Sequence, residues 1–151
     1  NRRYLESFLD YKLNEYQRFG RLFAVLFADI DDFSHFNNEY GHDTGDKVLV
    51  NIAAGIKKNM NRNDLIGRWG GEEFLGIFSI SNDYDAPILG EKFRRLALNT
   101  EVPHGEAALH VSVSVGITVV HKGDTAASLL ERADQLMYQG KRDGKNRVAA
   151  D

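Results

Sequence analysis

Asp29-Ile30-Asp31-Asp32 follows directly on Leu22-Phe23-Ala24-Val25-Leu26-Phe27-Ala28, the longest apolar run in the chain. A run that is apolar on both faces reads as a buried central strand. Carboxylates beside such a core are costly unless water or a cation compensates them. A lone Asp there would mark a strand running out into a solvated turn. A cluster of acids raises the case for a hard cation, with Mg²⁺ and phosphate oxygens completing its octahedron as the fitting example. Gly70-Gly71-Glu72-Glu73 is the second acid-bearing element. Read locally, it is a hairpin turn with two solvated acids, its glycines taking the positive φ values of a tight turn. Read chemically, the paired glycines let backbone N–H groups approach a phosphate with no Cβ in the way. Glu72 then projects toward Asp29. Acids on adjacent strands with a metal pair between them describe phosphoryl or nucleotidyl transfer.

The elements that must position these acids follow from periodicity. Leu5, Phe8, Leu9, Leu13 and Tyr16 recur at helical spacing, predicting an amphipathic helix over Arg3–Arg18 that ends near Gly20. Asp32–Tyr40 reads as a short helix and Asp46–Met60 as a longer one, with Val48, Leu49, Ile52, Ala53 and Ile56 on one side. Leu65–Trp69 and Glu73–Ile80 read as strands joined through Gly70-Gly71. Ala86–Leu98 is predicted helical, and His110–Val120 alternates cleanly enough to predict a half-buried strand with Ser112, Ser114 and Thr118 on its polar face. A helix over Thr125–Gln139 and a short strand near Val148 complete the order α-β-α-α-β-β-α-β-α-β. That order predicts the α+β class, a mostly antiparallel sheet with helices packed against it.

Composition narrows the function. The chain has 151 residues, 42% hydrophobic and 11% aromatic, enough for one domain with a real core and too apolar for intrinsic disorder. A net charge of −3 argues against coating nucleic acid, and the absence of Cys excludes disulfide scaffolds and thiolate metal sites. No apolar run approaches the length a bilayer-spanning helix needs, so no membrane contact is expected of this domain. A reducing cytoplasm fits, whether or not the full-length protein is membrane-anchored. The five histidines (35, 42, 104, 110 and 121) show no metal-ligand pairing, and Trp69 reads as hairpin packing.

Phe27-Ala28-Asp29-Ile30-Asp31-Asp32-Phe33, then Asn37, Gly41-His42 and Gly45-Asp46, then Arg68-Trp69-Gly70-Gly71-Glu72-Glu73-Phe74, resemble the GGDEF family of diguanylate cyclases. The late segment Ala133-Asp134, Met137-Tyr138, Lys141 and Gly144-Lys145-Asn146 is similar to that family's closing motif. The motifs are collinear and span essentially the whole chain. Asn1-Arg2-Arg3 resembles the end of the family's opening motif, so residues 1–151 read as one GGDEF-type catalytic domain cut just after its start. The resemblance implies a nucleotidyl-cyclase, polymerase-palm-like (ferredoxin-like) fold. It implies condensation of two GTP into cyclic di-GMP and two pyrophosphates at a homodimer interface, and an upstream sensor domain in the full-length protein.

Carried over by residue, the resemblance implies that Asp29, Glu72 and the backbone carbonyl of Ile30 hold two Mg²⁺ ions, with Mn²⁺ able to substitute. Glu72 is also the residue that would activate the 3′-hydroxyl. Asn37 and Asp46 would read the guanine edge, with His42 nearby. Phe33 and Ser34 would offer backbone N–H groups to the phosphates, as Gly70 and Gly71 would, while Lys141 and Lys145 match positions that contact the triphosphate. Three positions depart from the family: Ser34 and Asn38 replace the usual Lys and Asp, and Lys145 replaces Arg, keeping the charge but losing the fork. The loss at Ser34 favours the alternative from another class, a catalytically weak or inactive GTP-binding regulatory module. The metal carboxylates favour the enzyme. A linear nucleotidyltransferase or an adenylate cyclase is disfavoured by the Gly-Gly-Glu-Glu-Phe signature and by Asp46. Many relatives bind their product at an Arg-x-x-Asp motif; Asp64 matches its acid, but the Arg position is Asn61 and Arg62 is one residue late. Weak or absent product inhibition is therefore expected.

Overall fold

The computed structural model describes residues 1–151. Helix α1 (Arg2–Phe19) is followed by β1 (Phe23–Ile30), α2 (Phe33–Tyr40), α3 (His42–Lys58), β2 (Leu65–Arg68), β3 (Glu73–Ser79) and α4 (Asp85–Leu98). Then come β4 (Val102–His104), β5 (Ala107–Leu109), β6 (Val113–Val119), α5 (Ala126–Arg142) and β7 (Val148–Ala150). The main sheet runs β2-β3-β1-β6-β7, antiparallel except for the β6–β7 pair, and β4–β5 forms a separate two-stranded ribbon. The fold is α+β, as expected. No helix is long and apolar enough to cross a membrane.

Strand β1 divides the core because successive side chains point to opposite faces. Ala24, Leu26, Ala28 and Ile30 pack under α2, α3 and α4, while Phe23, Val25 and Phe27 pack under α1 and α5. Helix α1 begins where the Asn1 side chain accepts from Tyr4 N at 2.9 Å and ends at Gly20, whose φ of 70° is left-handed and suits glycine. Helix α5 presses on β6 at Gly116, where any Cβ would overlap the main chain at Ala133 and Met137. That close approach brings the last turn of α5 to the end of β1.

Several expectations need correction. Strand β1 runs to Ile30, one residue past Asp29, beyond the apolar run itself. Helix α3 starts at His42, placing Asp46 inside it, and α5 runs to Arg142, placing Lys141 on the helix. The 102–109 ribbon was not expected: its strands are three residues each and one contains Pro103. Strand β6 begins at Val113 and is buried on both faces, not half-buried. Ser114 and Thr118 point into the α5 layer, where they find hydrogen-bond partners rather than water. Gly70 and Gly71 are not left-handed; neither meets closer than ordinary van der Waals contact, so the turn's main chain is simply bare.

Candidate active site

Asp29 lies opposite Glu73 on β3 and Ser114 on β6, at the end of the sheet where β1 passes into α2. The β2–β3 turn folds over the same end. Ile30 N donates to Glu72 O at 3.3 Å, Trp69 N to Glu73 O at 2.8 Å, and Arg68 Nη2 to Gly71 O at 2.7 Å. These bonds hold Glu72 beside Asp29. Burial, and then the Asp29 charge, push the Glu72 carboxyl above the usual carboxylate range. Glu73 is raised by burial and by Asp29 and Asp134, and Asp134 by burial and Asp29. Four acids thus share one end of the sheet.

The opposing charge comes from the C-terminal segment. Lys141 Nζ stands 2.8 Å from Asp29 Oδ1 and 3.3 Å from Asp31 Oδ1, and donates weakly to Ile30 O at 3.5 Å. Burial opposes its charge, but the contacts with Asp29 and Asp31 prevail and raise its pKa. Lys145 Nζ lies 2.6 Å from Asp32 Oδ1 in an exposed pair. Such a pair contributes at most about 1 kcal/mol, so the lysine can exchange it for a phosphate at little cost.

Asp31, inside the acidic motif, has a role that the motif alone does not reveal. It is buried, accepting from Ser112 Oγ at 2.7 Å, Ser114 Oγ at 2.6 Å and Asn146 N at 2.9 Å. The alternation of Ser112 and Ser114 marks a polar face but does not tell a buried acceptor from water.

Beyond the acids, α2 and α3 form a second wall. The N–H groups of Phe33 and Ser34 at the start of α2 have no hydrogen-bond partner within the chain. Asn37 packs against Gly45, where a Cβ would overlap the Asn37 amide, and the buried Asn37 Oδ1 has no donor. A buried acceptor without a donor is uncommon, so Asn37 Oδ1 is a hydrogen-bonding position that the chain itself does not satisfy. Asp46 and His42 are exposed on α3 on the same wall.

No three His, Cys, Asp or Glu side chains are arranged to hold a metal ion by themselves. Asp29, Glu72 and the Ile30 carbonyl are all oxygen donors, and their small number fits Mg²⁺ or Mn²⁺ that keeps waters and takes phosphate oxygens. Asp64 is not part of this site. It sits at the opposite end of the sheet, its carboxylate accepting from Ser79 N at 2.9 Å and Asn61 N at 3.2 Å. Arg62 makes no ion pair with it and lines a cleft with Lys12, Glu15 and Arg21.

Comparison with known proteins adds an independent line. The family model "Diguanylate cyclase, GGDEF domain" matches residues 1–147. The response regulator PleD of Caulobacter vibrioides is 37% identical over 98% of this chain, which spans 33% of PleD. Diguanylate cyclase DgcZ of Escherichia coli is 32% identical over 97% of this chain, which spans 49% of DgcZ. Among solved structures, diguanylate cyclase SiaD of Pseudomonas aeruginosa, in complex with its activator SiaC, superposes with a TM-score of 0.95 at 36% identity, over 100% of this chain and 58% of that one. The GGDEF domain of DgcB from Caulobacter crescentus, in complex with c-di-GMP, gives 0.92 at 31% identity, over 99% and 87%. With the acidic strand end, the bare Gly-Gly turn and the two lysines in place, the chain belongs to the GGDEF-domain family of diguanylate cyclases.

Proposed function

We propose that this domain condenses two GTP molecules into cyclic di-GMP and two pyrophosphates, each of two facing copies presenting one nucleotide. The observation that carries the reading is the convergence of Asp29, the Ile30 carbonyl and Glu72 at one strand end beside Lys141. A divalent cation held there, Mg²⁺ or Mn²⁺, would supply charge neutralisation at the phosphate oxygens. Glu72 accepts the proton of the 3′-hydroxyl as that oxygen attacks the α-phosphorus of the other nucleotide. The bond from that phosphorus to the bridging oxygen breaks, and pyrophosphate leaves. A carboxyl raised by burial is a better base near neutral pH than an ordinary one, provided it is ionised when the hydroxyl arrives. The free N–H groups of Phe33 and Ser34, the bare Gly70-Gly71 turn, Lys141 and Lys145 receive the phosphates. Asn37 and Asp46 take the guanine edge, with His42 at the rim.

Because one copy holds half of the reaction, activity depends on two domains meeting. Relatives such as PleD are longer than the match, so regulation from other domains of a longer, cytoplasm-facing protein belongs to the same proposal. The competing reading, a GTP-binding module without turnover, rests on Ser34, which leaves the start of α2 without a Lys. Incubating the domain with GTP and Mg²⁺ over a hundredfold range of protein concentration separates the two. Cyclic di-GMP in the mass spectrum, with specific activity rising with concentration, is expected. GTP binding with no product would favour the module.

A further inference from the structure

The segment that carries Lys145 is held in an unusual backbone conformation. Lys145 and Asn146 are consecutive left-handed residues, with φ of 64° and 48°, and neither is glycine. Asn enters this region more readily than most side chains, but two consecutive non-glycine residues there are uncommon and need contacts to hold them. Two contacts converge on Asn146. Its N–H donates to the buried Asp31 carboxylate at 2.9 Å, which ties it to the end of β1. Its amide oxygen accepts from Arg94 Nη1 at 2.8 Å.

Arg94 belongs to α4, on the opposite face of the sheet from α5. Its side chain is 17% exposed, and Glu91 grips its Nε and Nη2 through both carboxylate oxygens. A pair confined to one helix would account for those two nitrogens. It does not account for Nη1, which reaches around the sheet edge to Asn146. Only a planar fork can serve Glu91 on one side and Asn146 on the other; an ammonium on a flexible stem cannot hold both directions.

We propose that Arg94 is a positioning residue for triphosphate binding: through Asn146 it fixes the left-handed turn that directs Lys145 over the Asp32 end of β1. This rests on the reading of the strand end as a GTP site. The chain of contacts is Glu91 to Arg94, Arg94 to the Asn146 amide, the Asn146 main chain to Asp31, and Lys145 to Asp32 at 2.6 Å. Removing Arg94 frees the turn to relax into ordinary backbone, and Lys145 then leaves the phosphate path. The guanine wall of α2 and α3 is untouched by the change.

The test is calorimetric binding, in Mg²⁺, of a GTP analogue with a methylene between its α- and β-phosphates, and of GMP, which lacks the outer phosphates. Arg94→Met is expected to weaken the GTP analogue about tenfold, the scale of one lost charge-assisted phosphate contact, and to leave GMP unchanged. Asn146→Gly accepts the left-handed backbone without strain but lacks the amide. It should reproduce the loss, and the double variant should lose no more than either single one, as expected for residues acting in series. Arg94→Lys should not restore binding. Equal weakening of both ligands would show a merely structural role and overturn the inference, as would unchanged binding of the analogue in Arg94→Met and Asn146→Gly. A parent that binds neither ligand would overturn the GTP reading itself, and the inference with it.

Discussion

The two ends of α5 treat carboxylates in opposite ways. At its N-terminus Asp124 accepts from Arg132 at 2.9 and 2.8 Å, from Ser128 Oγ at 2.7 Å and from His121 N at 2.8 Å. The Arg132 guanidinium, first among these, holds the Asp124 carboxyl far below the usual range despite burial. Every oxygen is satisfied, and Thr125 and Ser128 close a capping box beside it. Toward the C-terminal end Glu72, Glu73 and Asp134 lie around Asp29, which pairs with Lys141, and those three are held above the usual range by burial first and by the Asp29 charge next. One end is built to be stable when empty. The other holds more carboxylates than cations, which is the electrostatic pattern of a candidate site rather than of a cap.

The sign of the pH dependence differs accordingly. A carboxyl lowered on folding adds stability above its unfolded value, near 4, and that stability is lost as the pH falls through the folded value. Carboxyls raised on folding do the reverse: the folded state binds the extra proton, and stability falls as the pH climbs from the unfolded value through the folded one.

Glu72→Gln should produce the largest effect. Loss of the proton acceptor should reduce cyclic di-GMP formation by about 10²–10⁴-fold, the usual worth of a general base. The same change removes a charge next to Asp29, so metal-free Glu72→Gln should melt no lower than the parent at pH 8. Product assays and thermal melts check both, and parent-like turnover would place the chemistry elsewhere.

Asp46→Ser comes next. A carboxylate accepts from guanine N1–H and N2–H₂ together, whereas adenine offers an acceptor at N1. A bidentate base contact of this kind is worth about 1–3 kcal/mol. The preference for GTP over ATP, measured as relative binding by calorimetry, should fall by the corresponding factor while melting temperature stays put. Equal binding of the two nucleotides by the parent would refute this assignment.

Asp124→Asn probes the other end. Losing the charge-assisted bonds of a largely buried carboxylate should cost about 2 kcal/mol at pH 7, or roughly 4–8 °C in melting temperature for a domain of this size. Turnover per folded molecule should not change. The stability gap should close as the pH falls below 4, because the parent's own carboxylate is then protonated on unfolding. A gap that persists undiminished at low pH would show that shape, not charge, accounts for the loss.

The smallest effect is expected at Asp64, whose carboxylate is committed to two backbone N–H groups. Titrated cyclic di-GMP should not bind tightly there. Stoichiometric binding abolished by Asp64→Ala would show that a neighbouring cation replaces the missing Arg.

The gathering of acids and lysines at one sheet end was largely legible, because acids after an apolar strand, a Gly-Gly turn and late lysines occur in collinear motifs. The roles of Asp31, Ser112 and Ser114 were not. Alternating serines on a strand look the same whether they face water or a buried carboxylate, and only the packing of α5 on Gly116 decides it. Asn146 and Arg94 are 52 residues apart, and nothing local in either segment announces their contact. The start of α3 was misplaced because Gly41, its N-cap, makes no side-chain cap and gave no signal. The ribbon at 102–109 is too short to show a period.

The most direct measurement is the rate of cyclic di-GMP formation from GTP and Mg²⁺ by the parent and by Asp29→Asn, each shown to be folded by circular dichroism. The account predicts product from the parent and its near-complete loss in the variant. Equal rates, or a folded, concentrated parent that makes none, would contradict it.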